Sequence, residues 1–517
     1  MINTTFQKAL LIFSLAAISP HFAQDIDWEK SYGGKQADYL LDALPTADYG
    51  FLLAGSSLSG QSGTKESKEF GHLDYWIWKM DEHGNAEWEK SFGGEGRDML
   101  YSVCLTSDGG FLLGGTSDSP SKESVKKLNC LGQEDFWIVK LDASGNVQWE
   151  KTLGGRGSDI LTKILPYKGG YLLFGSSSSN ISEFKESNSE GGLDYWIVRI
   201  DKEGNIIWER TFGGRYEDVL KTGLITESQE IVIGGTTNSP SSDHKLDDNL
   251  TCDFWIIKLN ENGDVIWEET FGGNGTDELF SLVVTQDGNY LAAGSSNSSF
   301  AKDGSDIWLL KIGSLGNLLW EQTYNFGPFD QPTSLVEDSD NTIIIGVSSK
   351  STKKVASSEQ LNDFVLMKLS EEGDQKWSKS VGSGGRDLLR KAFITRDGGY
   401  LMVGMSNASR PNRARKKTIG KTDFWAVKLY DKEKKKPEKL PLEAFPNPTS
   451  SYTNVVLGYD YVKGTATVYD LGGRLLNSIT LNGNRTIPIN LSGLPIGAYI
   501  IHVTTDVQEN GVKIIKN

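Results

Sequence analysis

The stretch Val147–Gly155 reads "VQWEKTLGG", and close copies of it stand elsewhere in the chain. Ala86–Gly94 reads "AEWEKSFGG", Ile206–Gly214 "IIWERTFGG" and Val265–Gly273 "VIWEETFGG". The first copy, "IDWEKSYGG", lies at Ile26–Gly34. The shared tryptophans are Trp28, Trp88, Trp149, Trp208, Trp267, Trp320 and Trp377, about sixty residues apart, which is the mark of a propeller, solenoid or array. In Val147–Leu153, Val147, Trp149 and Leu153 share one face, interrupted by Lys151. Gln148, Glu150 and Thr152 share the other, as in an edge strand with one wet side.

Three further phrases recur with it. "SVCLT" is apolar and runs into the turn "SDGG", and "FLLGGTS" ends in small residues. "DFWIVKLD" recurs as "DYWIWKMD", "DYWIVRID" and "DFWIIKLN". In it, Trp137, Val139 and Leu141 point one way and Phe136 and Ile138 the other, so both faces are apolar and the strand is sandwiched. Each unit therefore predicts four antiparallel strands, here A, B, C and D in chain order. Such a unit cannot be stable alone and must stack on its copies.

The first copy of strand D precedes any A, B or C, and the last unit ends at "DFWAVKLYD" with no D of its own. The first strand is thus expected to complete the last unit. The A strands begin near Asp38, Asp98, Asp159, Asp218, Asp277, Asp330 and Asp387, which makes seven units. The expected fold is all-β: a seven-bladed β-propeller over 25–430 with its N-terminal strand closing the last blade, then a small β-sandwich. Unit six is the least regular, with Pro328 and Pro332 near the start of its A strand. The repeats resemble those of bacterial secreted propellers of the delta-60 type and, more loosely, quinone-enzyme repeats. That resemblance implies the fold and says little of activity.

Residues 1–24 read as a secretory signal peptide: one Lys, then a mostly apolar run from Ala9 to Ile18 that is too short to span a bilayer. No Cys follows to carry a lipid, and no later segment reads as a transmembrane span. The formal net charge of −15 argues against nucleic acid as a partner. The odd count of three cysteines, Cys104, Cys130 and Cys252, excludes a complete disulfide framework.

Residues 431–443 are rich in Lys and Pro and read as a linker. Residues 444–517 read as short strands and tight turns, a second all-β unit. They resemble the type A C-terminal sorting domain of the type IX secretion system of Bacteroidota. The matching motifs are "FPNP" (Pro446, Asn447, Pro448), "DLGGRLL" (Gly472, Gly473), "LPIGAYIIHV" (Gly497, Tyr499) and the closing "KIIK" with Lys513. The resemblance implies Sec export, the type IX machinery as a partner, and a product that is secreted or attached to surface lipopolysaccharide.

Alternating strand direction puts the B–C and D–A connections on one face and the A–B and C–D hairpins on the other. The long loops belong to the first face, which is the place to look for a ligand. There the D–A connection "GGxxxD" supplies Asp38, Asp98, Asp159, Asp218 and Asp277, with Asp387 and Asp330 after variant turns. These carboxylates read as a cation or polar-ligand ring at one mouth of a channel, or as turn caps. A residue repeated in every unit usually serves the unit, which favours the caps. Arg410, Arg413, Arg415, Lys416 and Lys417 form a basic loop that reads as a dock for acidic glycan or lipopolysaccharide, or as a solvated loop. No catalytic motif, zinc spacing or P-loop is present, and no cofactor is implied. "EDSDNT" near Asp338 lacks the Gly and Glu of a calcium loop. The expected function is a secreted or surface binding or scaffold module for glycan or protein. The alternative is a secreted carbohydrate-active enzyme with its site among the long B–C loops.

Overall fold

A computed structural model describes residues 24–121, 126–239, 251–298, 304–350, 361–408, 419–432, 434, 438–449 and 452–517. The signal-peptide reading of 1–24 therefore lies outside the described residues, apart from Gln24. Among the described residues the secondary structure is entirely β, with no α-helix. Seven antiparallel sheets of four strands each are followed by one of three strands and one of four.

The second sheet shows why the pattern folds this way. Its A to D strands are Asp98–Leu105, Phe111–Ser117, Asp135–Leu141 and Val147–Leu153. Phe111–Ser117 and Asp135–Leu141 are buried throughout. Trp137, Val139 and Leu141 pack with Leu52, Ala54, Tyr75 and Ile77 of the first sheet. Phe136 and Ile138 pack with Leu161, Trp196 and Val198 of the third. Each sheet is thus an apolar slab shared by two cores, and only its D strand is wet.

Aromatic pairs repeat across the junctions. The second residue of a C strand meets the third residue of the next C strand, a tryptophan. Ring centroids lie 4.6 Å apart for Tyr75–Trp137, 4.7 Å for Phe136–Trp196, 4.8 Å for Tyr195–Trp255, 5.0 Å for Phe254–Trp308 and 4.6 Å for Phe364–Trp425. Phe424 of the seventh sheet meets Trp76 of the first at 4.5 Å in the same manner. These tilted contacts add to simple burial, and tryptophans so enclosed offer no face to a sugar. Between the fifth and sixth sheets the positions hold Ile307 and Val365.

The seventh sheet takes its outer strand from the other end of the chain. Gln24–Tyr32 pairs antiparallel with Asp423–Asp431, Gln24 opposite Asp431 and Tyr32 opposite Phe424. Strand C of this sheet runs through Asp431, and the next strand begins at Leu442. No disulfide joins Cys130 to Cys252, and Cys104 is buried in a core.

Residues 442–517 form a sandwich of a three-stranded and a four-stranded sheet around Val455, Leu457, Val468, Ile501 and Ile514. Its contacts with the larger body go to the hairpin face. Arg485 bonds Glu82 at 2.9 Å, Thr486 bonds Asp48 at 2.9 Å, and Glu443 receives both Tyr49 and Arg396, at 3.1 and 2.5 Å. Lys439 and Lys434 of the connecting segment pair with Glu82 and Asp338. The face that carries the B–C and D–A connections lies on the far side.

Candidate functional site

On that far face, each A strand opens with its aspartate buried beneath the turn. Asp38 accepts the Gly34 N–H at 2.8 Å and the Ser57 hydroxyl at 2.5 Å. Asp98, Asp159, Asp218 and Asp277 accept the N–H of the second turn glycine at 2.7–2.8 Å. Asp330 and Asp387 take the same N–H from Phe326 and Ser383, at 2.7 and 2.5 Å. A serine hydroxyl from the end of strand B adds a second bond, as Ser119 does to Asp98 at 2.9 Å. Burial raises the carboxyls of Asp38, Asp98, Asp159, Asp330 and Asp387 above the ordinary range, partly offset by these bonds.

A second set, the aspartates that open the C strands, sits beside the first. Burial pushes Asp74, Asp194 and Asp423 up to about 6, and Asp98, Asp218 and Asp38 of the next sheet add like charge. The first turn glycine lies between the two carboxylates. A Cβ on Gly154 would fall 2.1 Å from Asp135 Oδ1 and 2.6 Å from Asp159 Oδ2. A Cβ on Gly33 would meet Asp423 Oδ1 at 2.4 Å and Asp38 Oδ2 at 2.6 Å. The "GG" is therefore dictated by a carboxylate pair that crosses the boundary between sheets. Where unit six has Asn325 instead, its amide donates to Asp306 at 2.6 Å. Both sets of aspartates are buried away from solvent, except Asp363, which is half-buried. Among the described residues no group of three or more His, Cys, Asp or Glu is arranged to hold a metal ion.

The long B–C loops of the first three sheets are fastened down by a Lys–Trp–Glu device that the sequence reading did not find. The Trp76 indole N–H donates to Glu89 Oε2 at 2.6 Å, and Glu89 Oε1 accepts the loop N–H of Ser67 at 2.5 Å. Lys65 lies over Trp76, 5.8 Å from the ring centroid, and bonds Ser91 at 2.6 Å. Trp137 with Glu150 (3.0 Å) and Trp196 with Glu209 (2.8 Å) repeat the bond, and Lys126 and Lys185 are buried in the equivalent loops. The fifth sheet keeps Trp308 with Glu321 at 2.9 Å. The signal was present as a fixed thirteen-residue spacing from strand C to strand D. Unit six lacks both members and has Val365 and Ser378.

Unit six also opens a cleft against the seventh sheet. The space is about 440 Å³, and its lining includes Phe329, Ser348, Lys350, Asn362, Arg386 and Arg390. Arg410, Arg413, Arg415, Lys416 and Lys417 lie outside the described residues.

The sorting motifs fall on joints of the small sandwich. The Asn447 side chain donates to Lys513 O at 2.8 Å and accepts the Ile515 N–H at 2.9 Å, which ties the "FPNP" turn to the last strand. The carbonyl of Pro446 accepts the Thr453 hydroxyl at 2.8 Å, and both Pro446 and Pro448 follow cis peptide bonds. Gly472 and Gly473 form the turn after Asp470, where Gly473 has φ 78°. Gly497 begins the strand that carries Tyr499, whose hydroxyl donates to Pro495 O at 2.5 Å.

A family model for the secretion system C-terminal sorting domain matches residues 443–517. The chain is a type IX secretion substrate, exported to the cell surface or the medium by that machinery. No helix among the described residues is long and apolar enough to cross a membrane. Regulatory protein FlaEY of Caulobacter vibrioides is 22% identical over 199 residues, which span 36% of this chain and 21% of that protein. The match thus spans about a fifth of that relative's length. Among solved structures, Sqt1 from Chaetomium thermophilum is similar at 11% identity and a TM-score of 0.41, over 94% of this chain and 100% of that one. The N-terminal domain of Nup159 is similar at 9% identity and a TM-score of 0.40, over 79% of this chain and 95% of that one. Neither structural likeness is close enough to bear on activity.

Proposed function

We propose that residues 25–430 form a seven-bladed β-propeller of the delta-60-like kind, closed by the Gln24–Tyr32 strand. On this reading it is a surface or secreted binding module for glycan or protein. Three features support the closure: the pairing of Gln24–Tyr32 with the last C strand, the Phe424–Trp76 contact, and Lys391 of the seventh sheet reaching Asp42 of the first at 2.5 Å. The observation that carries the binding role is the placement of the sorting domain. Among the described residues it seats on the hairpin turns, on the side opposite the loop-bearing face. The turn carboxylates then serve the fold, and the ligand is met by the side chains that differ from blade to blade. Surface lipopolysaccharide is the anchor that the sorting domain implies.

The test is a glycan array, with a panel of surface-protein extracts beside it, probed with the chain from residue 24 onward. Saturable binding to a defined glycan or protein supports the module. Absence of binding to either, with and without calcium, refutes it.

A further inference from the structure

The repeat itself supplies a reference for finding a site. At five of the seven D–A turns the residue before the A-strand aspartate has its N–H held by a side chain at the end of strand B; the first unit, with Ala37 and Leu58 at these positions, lacks that bond, and so does unit six. Arg97 is held by Asp118 at 2.5 Å, Ser158 by Ser178 at 2.9 Å, Glu217 by Asn238 at 2.7 Å, Thr276 by Asn297 at 2.6 Å and Arg386 by Asn407 at 2.7 Å. In unit six these two positions hold Phe329 and Lys350. Lys350 cannot accept that bond, and Phe329 stands 49% exposed beside the cleft. Both line it, so the unit gives up a turn lock where the cavity opens.

Opposite them stand two arginines. Arg97 of the second sheet is neutralised by Asp118 at 2.8 Å. Arg386 has the same place in the seventh sheet but faces Asn407, which carries no charge. Arg390 is half-buried, and its Nε is enclosed with no hydrogen-bond acceptor. Among the described residues neither arginine, nor Lys350, pairs with a carboxylate, in a chain with 68 acidic residues. Burial, and then the neighbouring Arg386, lowers the Arg390 guanidinium from its ordinary value. Two guanidinium groups held together without an anion are poised for one.

The remaining lining is suited to a ring of hydroxyls. Ser56 and Ser176 accept a backbone N–H of the adjacent sheet at 2.9 Å. The equivalent Ser348 is buried in the cleft wall with its hydroxyl unbonded. Asn362 adds an amide beside it. A volume of about 440 Å³ lies within the usual range of small-ligand sites. An exposed aromatic face next to an amide and a hydroxyl fits a sugar ring better than a peptide side chain.

We propose that the cleft between the sixth and seventh sheets binds one acidic sugar unit of a glycan, its carboxylate on Arg386 and Arg390 and its ring on Phe329. This inference rests on the binding-module reading and names its ligand class. The full chain is titrated calorimetrically with trigalacturonate, galactotriose, inorganic phosphate and pentaglutamate. Trigalacturonate is expected to bind at least tenfold more tightly than each of the other three. R386Q/R390Q weakens it at least tenfold, about 1.4 kcal/mol. F329A weakens it at least fivefold and leaves phosphate binding unchanged. R386Q alone, at an exposed position, preserves the fold by circular dichroism and still weakens trigalacturonate at least threefold. The proposal is overturned if trigalacturonate fails to bind, if the arginine variants bind it like the parent, or if pentaglutamate or phosphate binds as well. A neutral glycan or protein ligand unaffected by R386Q would sink this cleft while leaving the binding module standing.

Discussion

Removal of residues 24–32 tests the closure directly. Tyr32 is buried against Trp78, with ring centroids 4.6 Å apart, and its hydroxyl donates to Gly84 O at 2.7 Å. Trp28 packs on the same core, and its indole donates to Glu82 O at 3.1 Å. Burial of one aromatic side chain contributes roughly 2–3 kcal/mol, an aromatic pair about 1 kcal/mol and a hydrogen bond about 1 kcal/mol. The two side chains together are therefore responsible for about 7 kcal/mol, before any backbone pairing is counted. A domain's whole net stability is about 5–15 kcal/mol. The deletion also leaves Asp423–Asp431 as an unpaired edge with a nearly continuous buried face, which invites association with other chains. The truncated chain should unfold at much lower urea than the intact one and elute as aggregate in size-exclusion chromatography. A synthetic peptide of residues 24–34, added in trans, should restore the monomer. If the truncated chain unfolds within about 1 kcal/mol of the intact chain, and the peptide does not bind, the closure argument fails.

Two further outcomes follow from the turn carboxylates. Gly154→Ala places its Cβ 2.1 Å from Asp135 Oδ1. Overpacking of this kind costs about 1–3 kcal/mol, so calorimetry should record a clear fall in Tm, and an unchanged Tm would refute the carboxylate cradle. Asp74, Asp194 and Asp423 titrate near 6 when folded and near 3.8 when unfolded, so the folded chain binds more protons between those values. Stability should therefore fall as pH rises through that window, and the loss is complete above about pH 6. Asp340, held down to about 2 chiefly by its Thr342 bonds and Lys368 against the opposing effect of burial, acts the other way, losing its contribution only as pH falls below 3.8. The urea midpoint should be higher at pH 5 than at pH 7.5, and a flat or rising profile between them would exclude the buried-carboxylate account.

The strands were legible because period-two alternation survives in every copy, and "DFWIVKLD" even shows that both its faces meet a core. The geometry of the loop-bearing face was harder to read. In the sequence Asp159 belongs to the recurrent D–A turn, whereas Asp135 merely opens a C strand. In space they are partners across a sheet boundary, with Gly154 between them. No spacing rule within one unit can show a contact made between units. The Trp137–Glu150 bond lies within one unit and its spacing was visible, yet alternation alone assigns Glu150 to the wet face. Only the descent of the B–C loop makes that face an anchor. Asn447 reads as a turn residue beside two prolines, and its bonds to Lys513 and Ile515 require the fold.

Repetition separates structural residues from functional ones by subtraction. Where all or nearly all units keep a residue, packing within or between sheets accounts for it: the C-strand aromatics, the turn aspartates and the glycines pressed between them. Unit six departs at four linked places. It replaces Trp and Glu by Val365 and Ser378, the turn-locking side chain by Lys350, and the small or polar residue before the aspartate by Phe329. Each change gives up a contact that most other units retain, and two of the four positions, Phe329 and Lys350, line the cleft, while Val365 packs against the fifth sheet. Phe329 and Lys350 stand opposite Arg386 and Arg390, which have no carboxylate partner among the described residues, and the proposed acidic-sugar site rests on that pairing, where a local rule of the repeat is relaxed.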